Sequence, residues 1–340
     1  MPTLKSFPMA DQIPSLPPEN ATPPPVPYKD RSTGLKVFGI LTILLGCMAA
    51  MFVPLMFISS VMAARTTGSP TPVSAVLPAA FVYGLTAVVL IWLGIGSVMA
   101  RRWARALLLI VSWSWLILGL ISVVCVGLFM PKIISKGVNG QPMPPAAIGV
   151  MIAVMAVILG IFFIIIPGIW AFFYRSPHVK ATCEARDPVA RWTDACPLPV
   201  LASALWMAFS AVCLLCMPLT GHAVIPCFGI FLAGVWGTIA SLFLATVWGY
   251  SAWLLYKLKN KGWWLILGTL CAFFLSSIVT YSTHDVVEMY RAAGYPETQI
   301  EQIKSTGIFS GNGMSWITGI ASIPWVGYLL YIKKYFRRQI

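Results

Sequence analysis

Residues 146–174 read AAIGVMIAVMAVILGIFFIIIPGIWAFFY, with no Asp, Glu, Lys, Arg or His, and Arg175 follows at once. About 20 such residues in a helix cross the ~30 Å hydrocarbon core of a bilayer, and a helix of a water-soluble core rarely runs so far uncharged. Working outward, Asp, Glu, Lys and Arg are also missing from 37–64, 66–100, 106–131, 197–256, 262–284 and 305–332. The 197–256 run is long enough for two crossings, with Thr220-Gly221-His222 as its polar break. The predicted spans are therefore 36–63, 76–100, 106–130, 146–174, 199–219, 228–256, 263–282 and 314–332. The composition agrees: 59% of the 340 residues are hydrophobic, only 10% are charged and the mean hydropathy is +0.84. The expected class is an all-α integral membrane bundle of about eight transmembrane helices.

A net charge of +13 raises the question of nucleic acid, but the placement of the charges argues against it. Lys29, Arg31 and Lys36 precede the first span, and Arg101, Arg102 and Arg105 separate the second from the third. Arg175, Lys180, Arg186 and Arg191 follow the fourth span, Lys257, Lys259 and Lys261 the sixth, and Lys333, Lys334, Arg337 and Arg338 the eighth. With a cytoplasmic N-terminus, all but Arg65, Lys132, Lys136, Arg291 and Lys304 of the 23 Lys and Arg fall inside, as the retention of basic residues in short cytoplasmic loops requires. Both termini are then cytoplasmic, and the expected partners are the lipid bilayer and anionic headgroups at its inner surface, not nucleic acid. None of the eight cysteines lies well inside an outer loop, so no extracellular disulfide framework is expected.

The chain divides into a Pro-rich tail (1–34), a first four-helix unit (35–175), a connecting loop (176–198) and a second four-helix unit (199–340). The tail carries Pro23-Pro24-Pro25-Val26-Pro27 and is expected to be a disordered cytoplasmic leader. Gly68-Ser69-Pro70 and the Gly- and Pro-rich stretch 137–145 read as outer turns. Within the second unit, the outer segment 283–313 has Val286, Val287, Met289 and Tyr290 among polar residues, a stop at Gly294, and Pro296-Glu297 opening a second helical turn. Two short amphipathic helices are expected there.

The two units look duplicated. Ile166-Pro167 with Tyr174 and then Arg175 matches Ile323-Pro324 with Tyr331 and then Lys333, with apolar residues between. Pro54-Leu55 resembles Pro218-Leu219, and a further identity links Trp115–Gly119 with Trp264–Gly268. Units of four spans share one orientation, giving tandem parallel repeats. Pro167 and Pro324 each remove a backbone donor, and a kink is expected at both.

The spans hold no ionisable residue near their middles, which argues against proton-coupled carriers and voltage sensors. Ser112, Ser114, Thr238, Ser241, Ser276 and Ser277 are left, and hydrogen bonds between helices or back to their own helix account for them. Chemistry concentrates in the loop after the fourth span, where Arg175, His178, Lys180, Cys183, Arg186, Asp187, Arg191, Trp192, Asp194 and Cys196 form the candidate interaction surface. His178, Cys183 and Cys196 with Asp187 or Asp194 would make up a metal donor set, although the close Cys pairs of structural zinc sites are missing. A Cys–His nucleophile is compositionally possible but has no evident orienting partner. Foremost, the loop reads as a folded elbow with internally paired charges, Trp192 at headgroup level, and turns at Pro188 and Pro197. Cys213 and Cys216 sit among Leu and Met and read as small apolar residues. No catalytic, cofactor or metal residue is assigned.

Residues 174–188 (YRSPHVKATCEARDP), then Arg191-Trp192-Thr193-Asp194 and Cys196-Pro197-Leu198-Pro199, resemble a family of uncharacterised bacterial multi-pass membrane proteins. The resemblance covers under a tenth of the chain and implies a bacterial cytoplasmic (inner) membrane, with no activity or ligand attached. The function expected first is a non-enzymatic scaffold or accessory protein, working with a membrane-protein partner or as a homo-oligomer. The alternatives are a transporter or channel for an uncharged or hydrophobic solute, and a membrane enzyme using the 175–197 loop.

Overall fold

A computed structural model of the chain describes residues 28–67, 73–134, 145–220, 223–295, 297, 300–301, 304 and 313–336. Most of the expected Pro-rich tail, the turns at 68–70 and 137–144, and most of the second short outer helix lie outside the described residues. The long helices are α1 (Ser32–Thr67), α2 (Val73–Val98), α3 (Arg102–Ile134), α4 (Pro145–Gly160), α5 (Ile166–Arg175), α7 (Leu198–Cys216), α8 (Gly234–Tyr256), α9 (Asn260–Thr283) and α11 (Gly313–Ile332). A π turn over Ile161–Ile165 joins α4 and α5 into one span. Shorter helices are α6 (Pro177–Arg186) and α10 (Val286–Ala292). Eight helices among the described residues are long and apolar enough to cross a membrane, and their limits follow the predicted spans closely. Their outer faces carry large apolar side chains open to the surroundings, Phe172 at 85% and Trp316 at 72%. Patches of that extent are stable against lipid and not against water.

Within the membrane, close helix packing needs small residues, because apolar side chains gain little by leaving lipid for protein. Among the described residues the buried positions of α1 are Leu35, Gly39, Thr42, Gly46 and Ala49, alternating steps of four and three. That is the period of a left-handed helix pair. A Cβ on Gly39 would stand 2.9 Å from the Gly94 carbonyl of α2, and one on Gly94 2.7 Å from the Gly39 carbonyl. α7 repeats the spacing with Val200, Ala204, Met207 and Ala211, against α8.

The parallel between the halves extends to their turns. α2 and α8 both end in a Schellman turn with a non-glycine residue in the left-handed region, Ala100 at φ 54° and Leu258 at φ 55°. Arg101 N–H donates to Gly96 C=O and Ala100 N–H to Ser97 C=O, both at 2.9 Å; Lys259 N–H donates to Leu254 C=O and Leu258 N–H to Leu255 C=O, at 3.0 and 2.9 Å. Leu93, Gly94, Gly96 and Ser97 are buried before the first turn, and Ser251, Ala252, Leu254 and Leu255 before the second. These pairs share one constant sequence spacing. The contact across the turn keeps its place and exchanges its sizes: Gly96 faces Ala104 in one half, Leu254 faces Gly262 in the other. The Trp115–Gly119 and Trp264–Gly268 identity has no such counterpart, since Gly119 is jammed against α4–α5 while Gly268 faces open space.

One predicted boundary is corrected. The sixth span does not begin at 228: residues 225–232 form an antiparallel hairpin of β1 (Ile225–Cys227) and β2 (Ile230–Leu232). Phe228 (φ 41°) and Gly229 (φ 95°) make its two-residue turn with both residues left-handed, the geometry that matches strand twist. Turn N–H groups left out of the strand ladder need partners, and α9 supplies them. Phe228 N–H donates to Ser276 Oγ at 2.9 Å and Gly229 N–H to Thr280 Oγ1 at 3.0 Å. Ser276 was expected to bond another helix or its own; its hydroxyl instead donates to Pro226 C=O of the hairpin at 3.0 Å.

The two marked prolines sit in different backbone. Pro167 cannot donate to the carbonyl four residues back, that of Phe163. Ile166 N–H reaches Ile161 C=O, five residues back, and the ladder opens into the π turn. Gly119 of α3 lies against the released Phe163 carbonyl, where a Cβ would collide with the oxygen and stand 2.6 Å from the Phe163 Cβ. At Pro324 the α-helix is continuous from Gly313 to Ile332. Tyr174 is fully buried whereas its match Tyr331 is 52% exposed.

Candidate functional site

The elbow between the halves is a small folded unit on the basic face. Ser176 and Pro177 start α6, proline at the first position supplying a fixed φ and no surplus donor. Val179, Thr182 and Cys183 form its buried side. Asp187 closes the helix, its N–H donating to Cys183 C=O. A 3₁₀ turn over Trp192–Asp194 then leads into α7, with Asp194 Oδ2 accepting from Arg191 N–H at 2.9 Å.

Charge holds this unit to its neighbours. Asp187 is 2% exposed and accepts Arg191 Nη2–H at 2.7 Å and Nε–H at 3.2 Å, a two-pronged pair. Arg101 Nη1 approaches the same carboxylate at 3.7 Å, and Arg102 N–H at the head of α3 points to it at 3.4 Å. The Arg102 guanidinium lies 3.7 Å from both Glu184 and Asp194. The Asp187 carboxyl is accordingly held below its ordinary value, first by the Arg191 hydrogen bonds and then by the Arg102 amide and the charges of Arg191 and Arg101.

The residues before α1 strap onto the outside of α6. Lys29 N–H points to His178 Nδ1 at 3.4 Å, Arg31 N–H donates to Thr182 Oγ1 at 3.1 Å, and Arg186 pairs with Asp30 at 3.2 Å.

The two thiols of the elbow go to different cores. Cys183, 1% exposed, packs with Tyr174, Val179, Leu107 and Leu108 in the first half. Cys196 packs with Ile110 of α3 and Leu201 of α7 at the seam. Burial pushes both thiols up to about 11, with the nearby Arg105 pulling Cys183 back only in part. At neutral pH neither holds an appreciable thiolate population. His178, Cys183 and Cys196 are not brought together, and among the described residues no three His, Cys, Asp or Glu side chains are placed to share a metal ion.

Of the ten candidate residues, the structure gathers Asp187, Arg191 and Asp194 into one cluster, buries Cys183 and Cys196, and pairs Lys180 with Glu184 at 3.8 Å and Arg186 with Asp30. Trp192 is 43% exposed, its carbonyl accepting from Tyr256 Oη–H at 3.1 Å. Arg101 and Arg102 were assigned only a topological role from sequence, and they are the groups that clamp the elbow. The seam itself is packed: Trp206 Nε1–H of α7 donates to Ser114 Oγ of α3 at 2.8 Å, and Leu198 and Leu205 reach the first half's core.

Fold and site together define an all-α multi-pass membrane protein whose halves are joined by a charge-clamped elbow. No family model matches the chain, and neither the curated proteins nor the solved structures give a match.

Proposed function

We propose that the chain is a non-enzymatic scaffold or accessory protein of a bacterial cytoplasmic membrane, built from two tandem four-span repeats in one orientation. The termini and the elbow face the cytosol, and anionic headgroups collect on the basic face. A membrane-protein partner or a second copy of the chain packs on the exposed apolar helix faces. The observation that carries this reading is where the elbow's reactive groups go: its carboxylates are engaged by arginines and its thiols are buried. A catalytic loop needs an accessible nucleophile or base, whereas a structural joint needs these groups paired. The matched Schellman turns and buried registers support the tandem repeat, and the even number of spans supports termini on one side.

Complementation of a deletion strain separates a joint from a catalyst. His178→Ala, Cys183→Ala and Cys196→Ala should each restore the deletion defect to wild-type level, whereas Asp187→Ala should not. Loss of function in a stably produced thiol or histidine variant would replace the scaffold with an enzyme. Sidedness is tested by impermeant thiol labelling of single cysteines placed at Val189 and Thr283, both exposed, in a cysteine-free background. Position 189 should label only after the cytosolic side is opened, and position 283 in intact cells. The reverse pattern inverts the topology.

A further inference from the structure

The start of α1 and the length of α5 leave between them an open groove of about 560 Å³, roofed by Ser176 and Val179 at the elbow. We propose that it is a binding site for one anionic glycerophospholipid of the adjoining leaflet, headgroup against Arg31 and Ser176, one acyl chain along Phe38, Ile165, Gly168 and Phe172. This deepens the headgroup partner named above by giving it a site.

Three features of the groove favour that occupant. Its length is set by α5 and the turn before it: Ile164 to Ser176 spans about 18 Å at ~1.5 Å per residue, close to one leaflet's half of the ~30 Å hydrocarbon core. The wall is apolar along that length and polar only at the elbow end, where Arg31 and Ser176 stand. This is the amphipathic order of a lipid and not that of a free phosphate.

The charge at the mouth is also uncommitted. Arg101, Arg102, Arg186 and Arg191 each have an acidic partner. Among the described residues the Arg31 guanidinium has none, while its backbone is fixed by the bond to Thr182. An unneutralised guanidinium on an anchored backbone at headgroup level is a phosphate-binding group.

The third feature comes from comparing the halves. The Pro167 and Pro324 match places Gly168 opposite Trp325. A Cβ on Gly168 meets nothing within 4 Å, so the groove is open there. In the second half the matched residue, Trp325, carries a large indole that packs edge-on against Trp206, ring centres 6.2 Å apart. The second half has a ring at the matched position, and the first leaves a slot of lipid dimensions beside a cation.

The test is native mass spectrometry of the full chain after equilibration with mixed phosphatidylglycerol–phosphatidylethanolamine vesicles. Wild type should retain one phosphatidylglycerol. Gly168→Trp, which copies the second half, should lose it, and Gly168→Leu keeps the test open if the indole disturbs folding. Arg31→Gln should still bind lipid but lose about fivefold in preference for phosphatidylglycerol, the worth of one basic residue near a headgroup. Retention of wild-type lipid by both Gly168 variants, or of the wild-type preference by Arg31→Gln, overturns the site. A rise in bound lipid on deleting residues 1–27 would instead assign the groove to that segment. Failure of the scaffold reading would show in the complementation set and leave these spectra unchanged.

Discussion

Gly119→Ala is expected to lower the detergent-solubilised melting temperature sharply, at a cost of about 3 kcal/mol, the upper range for forcing a methyl into a packed contact. The cost follows from Pro167. Because proline has no N–H, the Phe163 carbonyl loses its helical donor, and the chain opens the π turn 161–165 in response. In lipid that carbonyl has no water to turn to, and it lies against the Cα of Gly119, whose hydrogens offer the weak donor that membrane helices use at close approach. A Cβ at 119 meets both the carbonyl and the Phe163 Cβ, 2.6 Å away. Neither belongs to a flexible side-chain end, so α3 and α5 must move apart. Gly168→Ala is the internal control, since its Cβ meets nothing, and it should be neutral or slightly stabilising through helix propensity. Pro167→Ala should return the donor to Phe163, so the Gly119→Ala, Pro167→Ala double variant should melt above the sum of the single losses. Equal melting of Gly119→Ala and Gly168→Ala would remove this account of the π turn.

The spans were legible because charge is costly in lipid: basic residues bracket runs such as 146–174, and the helix limits land within a few residues of them. The hairpin at 225–232 was not legible for a related reason. Ile225–Leu232 is a short apolar run, and periodicity cannot tell a buried strand from the start of a helix. The signal that was present is Phe228-Gly229, a two-residue step ending in glycine between apolar triplets, and it is weak because Phe tolerates the left-handed region poorly. The elbow's charges were legible as pairs, but their arginine clamps at 101 and 102 lie some eighty residues upstream in sequence, and only folding α3 back beside α6 joins them. The likeness between the halves was visible at Pro167 and Pro324, where residue types match. It was invisible at the α2–α3 and α8–α9 turns, because Gly96–Ala104 and Leu254–Gly262 fill one contact with the large residue on opposite sides. Packing conserves the summed volume across such a contact, and identity at either position is free to change.

Asp187→Ala should be the most damaging substitution in the elbow, at about 2 kcal/mol, because it takes the shared charged acceptor from two half-exposed arginines and a backbone amide. Arg191, Arg101 and the Arg102 amide all address this one carboxylate, so its removal leaves like charges side by side, whereas Arg191→Ala leaves Asp187 with Arg101 and the amide. The cost of Asp187→Ala should therefore exceed that of Arg191→Ala, and the double variant should lose less than their sum. The same geometry fixes the pH response. The folded carboxyl titrates below its ordinary value of 3.8, so the folded state binds its proton later than the unfolded chain does. The stabilisation is complete above that ordinary value and drains away as pH falls through it toward the lower folded value. Wild type should thus lose melting temperature steeply below about pH 4. Asp30 and Glu297 are lowered too, Asp30 chiefly by Ser32 and Glu297 by Arg291, so the acid limb of wild type alone does not identify Asp187. The difference between wild type and Asp187→Asn does: it should be constant from neutral pH down to about 5 and shrink below 4. A difference that stays flat through that interval would mean the Asp187 charge does not hold the elbow, and the joint would rest on apolar packing around Cys183 and Val179 alone.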